Sequence, residues 1–168
     1  WPRLIQALAG GALVGLMWAL GRRLFGPLAG WIAAGMTAMY GPFVYEDLMY
    51  EKTSLTLPIV AGCLLALLRG RIFLGGLLLG LGILLRGNLL FFVPAAALWV
   101  WWNATAGRPE GRPLRATGRY LLGVALVILP FTIRNCVIGH DLVLVNSTFG
   151  INVFVGFNPA ANGMHASF

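Results

Sequence analysis

Apolar runs at residues 4–20, 27–44, 55–68, 72–85, 88–102 and 120–133 fill most of this 168-residue chain, with arginines standing at their ends. Such a pattern leaves few folds open. Polar residues confined to the breaks cannot form a solvated face, so the runs belong in a bilayer, where a helix satisfies its own backbone hydrogen bonds. The composition agrees: 59% hydrophobic residues, 10% charged ones and a mean hydropathy of +0.84 lie outside the soluble globular range. The expected fold class is an all-α polytopic membrane protein with about six transmembrane helices. A full span takes ~20 residues, so the shorter fourth and fifth runs must tilt or recruit their flanks.

Arginine placement gives an orientation. If the runs alternate in direction, Arg22, Arg23, Arg69, Arg71, Arg108, Arg112, Arg115 and Arg119 fall on one side and Arg3, Lys52, Arg86 and Arg134 on the other. The richer side is expected to be cytoplasmic, which places loop 103–118 inside and 41–54, 86–88 and 134–168 outside. Topology thus explains the net charge of +7, and nucleic acid is not expected as a partner. Trp1-Pro-Arg carries neither an initiator Met nor a cleavage pattern, so an internal fragment is expected. Cys63 lies inside one run and Cys136 beyond another, which argues against a mutual disulfide. Gly11 and Gly15, Gly26 and Gly30, and Gly76 and Gly80 have the spacing that lets helices approach closely, while Pro94 and Pro130 are expected to bend theirs.

Chemistry-bearing residues gather on the outward side. Three of the five acidic residues, Glu46, Asp47 and Glu51, stand with Lys52 in Tyr45-Glu-Asp-Leu-Met-Tyr-Glu-Lys-Thr-Ser54. On a short interfacial helix Asp47 and Glu51 would share a face. A carboxylate can take a proton from a hydroxyl, and a close pair can hold a divalent cation against a phosphate. The plainer reading is an amphipathic surface segment with tyrosines at the lipid headgroups. Arg86, in Leu85-Arg-Gly-Asn88, is the sharper candidate. Fourteen helical residues cover about 21 Å of a hydrocarbon core of about 30 Å, so this turn is expected below the headgroups, where an arginine needs water or an anion. A phosphate suits its forked donors, and snorkelling to the interface is the alternative. Arg134 has the same two readings. His140 and His165 lack matched ligands, and Gly75-Gly-Leu-Leu-Leu-Gly80 lacks the ending of a phosphate-binding loop.

Beyond Asn135 the chain reads as a strand over 141–145, a turn, and a second strand over 151–155. Asn152, Asn158 and Asn162 can hydrogen-bond a ligand without adding charge, or form an ordinary Asn/Gly turn cluster. The domains are accordingly read as a helical membrane part, 1–135, and the start of an extracytoplasmic loop or domain, 136–168.

Pro130-Phe-Thr-Ile-Arg-Asn135 followed by Gly150-Ile-Asn-Val-Phe-Val-Gly-Phe-Asn-Pro159 resembles bacterial multi-spanning glycosyltransferases of the GT-C type, including the dolichyl-phosphate-mannose-protein mannosyltransferase-like enzymes. Gly21-Arg-Arg-Leu-Phe-Gly26 and Leu84-Leu-Arg-Gly-Asn-Leu-Leu90 fit the same pattern, so the resemblance covers most of the chain. It implies transfer of a sugar from a polyprenyl-phosphate donor to a lipid, glycan or protein acceptor, at the outer face of a bacterial plasma membrane. Arg86, Lys52 and Arg134 become candidates for the donor phosphate, and Asn152, Asn158 and Asn162 for a substrate-facing loop. Phe157 stands where relatives commonly carry another Asn. The family's principal catalytic Asp lies in the first outer loop, which nothing here matches, because the first run resembles the second helix. The resemblance therefore makes Glu46 and Asp47 accessory candidates, with Glu51 beside them. A divalent metal ion is the one cofactor considered, and its ligands are left unassigned. The alternative function is a transporter or flippase-like protein with Arg86 and the acidic loop lining a passage.

Overall fold

The computed structural model describes residues 2–48, 52–106 and 112–139, and every regular element among them is helical. The helices are α1 (Pro2–Phe25), α2 (Pro27–Met39), α3 (Gly41–Leu48), α4 (Thr53–Leu68), α5 (Ile72–Leu85), a 3-10 helix (Gly87–Phe91), α6 (Phe92–Thr105) and α7 (Pro113–Gly139). The two expected C-terminal strands lie outside the described residues.

Helix boundaries follow local chemistry that apolarity alone does not show. The first run continues through Arg22 and Arg23 because cations suit the negative end of the helix dipole. It stops at Gly26, whose φ of 99° a side chain would strain, and Pro27 opens the next helix. The second run, expected as one segment over 27–44, divides at Tyr40, which turns to an extended conformation (ψ 100°) before Gly41-Pro42 starts α3. The outer loop expected over 41–54 is thus largely helix in its first half. The last run, expected over 120–133, is a 27-residue helix from Pro113 to Gly139. Loop 103–118 is correspondingly not one flexible connection, since α6 reaches Thr105 and α7 begins at Pro113. Pro94 falls in the first turn of α6, where its missing N–H costs no internal hydrogen bond, so the bend expected there has no cause.

Among the described residues two helices, Leu4–Phe25 and Pro113–Ile138, are long and apolar enough to cross a membrane, while Thr53–Leu68 and Ile72–Leu85 are apolar but shorter. Only 22% and 17% of the most apolar windows of the long pair are buried, whereas the core helix of a soluble protein would be mostly covered. Trp31, Met36, Leu98, Trp102 and Val137 are also exposed on the outside of the bundle. A surface so continuously apolar calls for lipid as its neighbour.

Packing sets the helix directions. Leu13 and Leu20 of α1 pack with Ala61 and Leu65 of α4, and a second cluster joins Cys63, Ile83, Val100 and Tyr120 across α4 to α7. Cys63 donates to the Gly75 carbonyl (3.3 Å), so α4 and α5 are antiparallel neighbours, and both cysteines are free thiols. Gly76 and Gly80 of α5 meet Tyr120, Gly123 and Val127 of α7, as their spacing predicted: a Cβ on Gly80 would lie 2.8 Å from Val127 Cβ. The other two pairs behave differently. Gly11 and Gly15 have nothing within 4 Å of a built Cβ, and Gly26 serves the turn, while Gly30 packs against Trp18 and Arg22 rather than acting with Gly26. The helices therefore place Arg22, Arg23, Arg69, Arg71, Arg115 and Arg119 at one end of the bundle, hereafter the basic end.

Candidate functional site

At the opposite end, α5 stops at Arg86, whose extended backbone (φ −136°, ψ 103°) lifts it out of the helix. Its guanidinium donates from Nη2 to Thr53 Oγ1 at 3.2 Å, reaching the first residue of α4 across 33 positions of sequence. Lys52 immediately precedes Thr53 and is exposed, as is Arg86. Two sequence-predicted cations are thus brought to one helix start. The start of α4 has no side-chain cap, so its leading N–H groups and the positive end of its dipole add to the same field. A phosphate or other anion is the natural counterpart of this arrangement.

The other expected site residues are placed less closely. Arg134 lies in the last turns of α7 and is exposed. Since α5 and α7 run parallel, with Gly76 facing Tyr120 and Gly80 facing Val127, Arg134 falls at the Arg86 end of the bundle. Glu46 and Asp47 occupy the last turn of α3, which packs against α1 and α4. Glu51, Asn152, Asn158 and Asn162 lie outside the described residues, as do His140 and His165. Among the described residues no three His, Cys, Asp or Glu groups come together as a metal site.

Sequence reading missed the hydroxyl-rich start of α4. Ser54 and Thr56 are both only 4% exposed, and Thr56 bonds the Lys52 carbonyl through Oγ1 (2.7 Å) and its own N–H (3.0 Å), which fixes the turn carrying Lys52. The signal was the Lys-Thr-Ser-Leu-Thr sequence opening an apolar run. Gln6 was missed as well. It is 6% exposed on α1, and its Oε1 has no hydrogen-bond partner among the described residues.

An apolar groove of about 770 Å³ runs along the bundle between α1, α2, α4 and α6. It extends from Leu24 and Leu68 near the basic end to Phe43, Leu57 and Phe92 near the Arg86 end.

Over residues 2–134 the sequence matches the family described as dolichyl-phosphate-mannose-protein mannosyltransferase. The chain belongs to this family. Membership makes it a membrane glycosyltransferase, in keeping with its apolar, lipid-facing helices. No curated protein and no solved structure matches it. For a dolichyl-phosphate-mannose-protein mannosyltransferase family member, a cationic helix start beside a long apolar groove is a chemically apt pairing.

Replacing Thr53 with Val removes the hydroxyl that holds Arg86 while leaving the charge. In sugar-transfer kinetics Thr53→Val is expected to lower kcat/KM about threefold to tenfold, the scale of one exposed charged hydrogen bond. An unchanged kcat/KM would mean that Arg86 needs no such support.

Proposed function

We propose that this protein moves a sugar from a polyprenyl-phosphate-linked donor to a lipid, glycan or protein acceptor at the extracytoplasmic face of a bacterial plasma membrane, as a multi-pass enzyme. The observation that carries this reading is the Arg86–Thr53 contact at the start of α4, beside Lys52 and one helical turn from Leu57, which lines the apolar groove. In this reading Arg86 and Lys52 receive the donor phosphate, Arg134 adds to the field around it, and the groove takes part of the prenyl chain. As the glycosidic bond to phosphate breaks, negative charge grows on the departing phosphate, and fixed cations stabilise that state more than the ground state. Glu46 and Asp47 act as accessory groups near the acceptor, with Glu51 beside them and Asn152, Asn158 and Asn162 facing the sugar. Glu46, Asp47 and Glu51 are the candidate oxygen donors for a divalent ion.

In this reading six transmembrane segments alternate across the membrane, and the arginine asymmetry supports a cytoplasmic basic end. Native Cys136, exposed near the end of α7, offers a direct check. A membrane-impermeant maleimide should label it in intact cells, whereas Arg115→Cys in a Cys136→Ser background should be labelled only after permeabilisation. The reverse pattern would put the site in the cytoplasm and remove the proposed face.

A further inference from the structure

We infer that the basic end carries a second anion site, built to hold the phosphate headgroup of an anionic glycerophospholipid from the leaflet on that side. A cavity of about 390 Å³ opens there between α1, α4, α5, α6 and α7, at the far end of the bundle from Arg86. That volume lies within the usual range of small-ligand sites. Arg23 and Arg69 stand at its rim with Asn103, while Ile72 and Val100 form an apolar floor. Arg23 is held in place by donating Nη2 to the Leu68 carbonyl at the end of α4 (2.6 Å), and Asn103 by donating Nδ2 to the Trp99 carbonyl (2.8 Å).

Local charge is one-sided. Arg22, Arg23, Arg69, Arg71, Arg112, Arg115 and Arg119 belong to the segments at this end, and none of the described residues of those segments is acidic. Arg23 and Arg69 therefore line a cavity to whose positive field the other arginines at this end add, which favours an anion over a neutral or zwitterionic group.

The walls select a lipid over a free anion. Leu67, Leu68 and Trp99 line both this cavity and the apolar groove. A headgroup bound between Arg23 and Arg69 can therefore lay its acyl chain directly against the groove wall, which a soluble phosphate cannot use. This site is separate from the Arg86 end and does not rest on the transfer reaction.

The test is lipid binding to the purified full chain by native mass spectrometry, with phosphatidylglycerol and phosphatidylcholine compared. Phosphatidylglycerol should bind preferentially, and Arg23→Gln with Arg69→Gln should weaken it on the order of tenfold. Arg69→Gln alone, which spares the bond to Leu68, should show part of that loss, while Arg115→Gln, a charge removed outside the cavity lining, should leave binding within about twofold. Millimolar inorganic phosphate should not displace the lipid. Equal binding of the two lipids, full retention in the double variant, an equal loss in Arg115→Gln, or displacement by free phosphate would each overturn the assignment.

Discussion

Membranes carrying Arg86→Ala are expected to transfer sugar from a polyprenyl-phosphate donor roughly 10²-fold more slowly than wild type at matched expression, the scale seen when one preorganised charge-stabilising donor is removed. The loss should fall on kcat as well as on KM, because charge on the departing phosphate grows only as the bond breaks. Arg86→Lys should recover part of the rate, since it returns the charge without the fork. Glu46→Gln and Asp47→Asn should each cost less, about tenfold, in keeping with accessory positions at the end of α3. A wild-type rate in Arg86→Ala would detach the α4 start from the chemistry. Arg86 is exposed and lies outside the two core clusters, so a collapse of the fold should not mimic the result.

Gly76→Val is the other large effect, and it acts on folding. A Cβ at Gly76 would meet the Tyr120 carbonyl, a backbone atom that cannot swing aside as the end of a side chain can. Gly123 Cα is also only 3.2 Å from that Cβ position, so α5 and α7 would have to move apart. Overpacking of this kind costs about 1–3 kcal/mol or more, enough to deplete a marginally stable bundle. Thermal melts in mild detergent should show Gly76→Val strongly destabilised and Gly76→Ala intermediate. Gly11→Ala should match wild type or gain slightly, because nothing lies within 4 Å of its Cβ and alanine favours helix. Similar melts for Gly76→Ala and Gly11→Ala would contradict the described α5–α7 contact.

These contrasts show what a sequence of this kind reveals. The bounds of α5 were legible to the residue, because Arg71 and Arg86 flank an unbroken apolar stretch. The start of α7 was not: Arg115 and Arg119 lower the apolarity of its first turns, and the informative signal was Pro113 at the first helical position. Likewise the division of residues 27–44 was written in Gly41-Pro42 but overshadowed by the apolar residues on either side. Glycine spacing was equally ambiguous, since Gly11 and Gly76 each begin the same four-residue pair and only one of those pairs meets a neighbouring helix. Spacing describes a helix face, whereas the partner is decided by the rest of the bundle.

For the site, a lone arginine between apolar runs stands out, and Arg86 was found for that reason. Its link to Thr53 could not be read, because it joins positions that only helix packing brings together. The basic-end cavity was hidden for the same reason. The sequence shows Arg23 and Arg69 as two topological markers, and it is the packing of α1, α4, α5, α6 and α7 that turns them into walls of one space.

The central claim is sugar transfer from a lipid-linked donor, and one assay tests it most directly. Membranes containing the full-length protein are supplied with radiolabelled polyprenyl-phosphate sugars, and both donor loss and label on acceptor material are followed against Arg86→Ala membranes. The account predicts that wild type consumes a donor and transfers its label, while Arg86→Ala does so roughly 10²-fold more slowly. Well-folded wild-type protein that leaves every such donor intact, while a solute crosses the bilayer through it, would contradict the account.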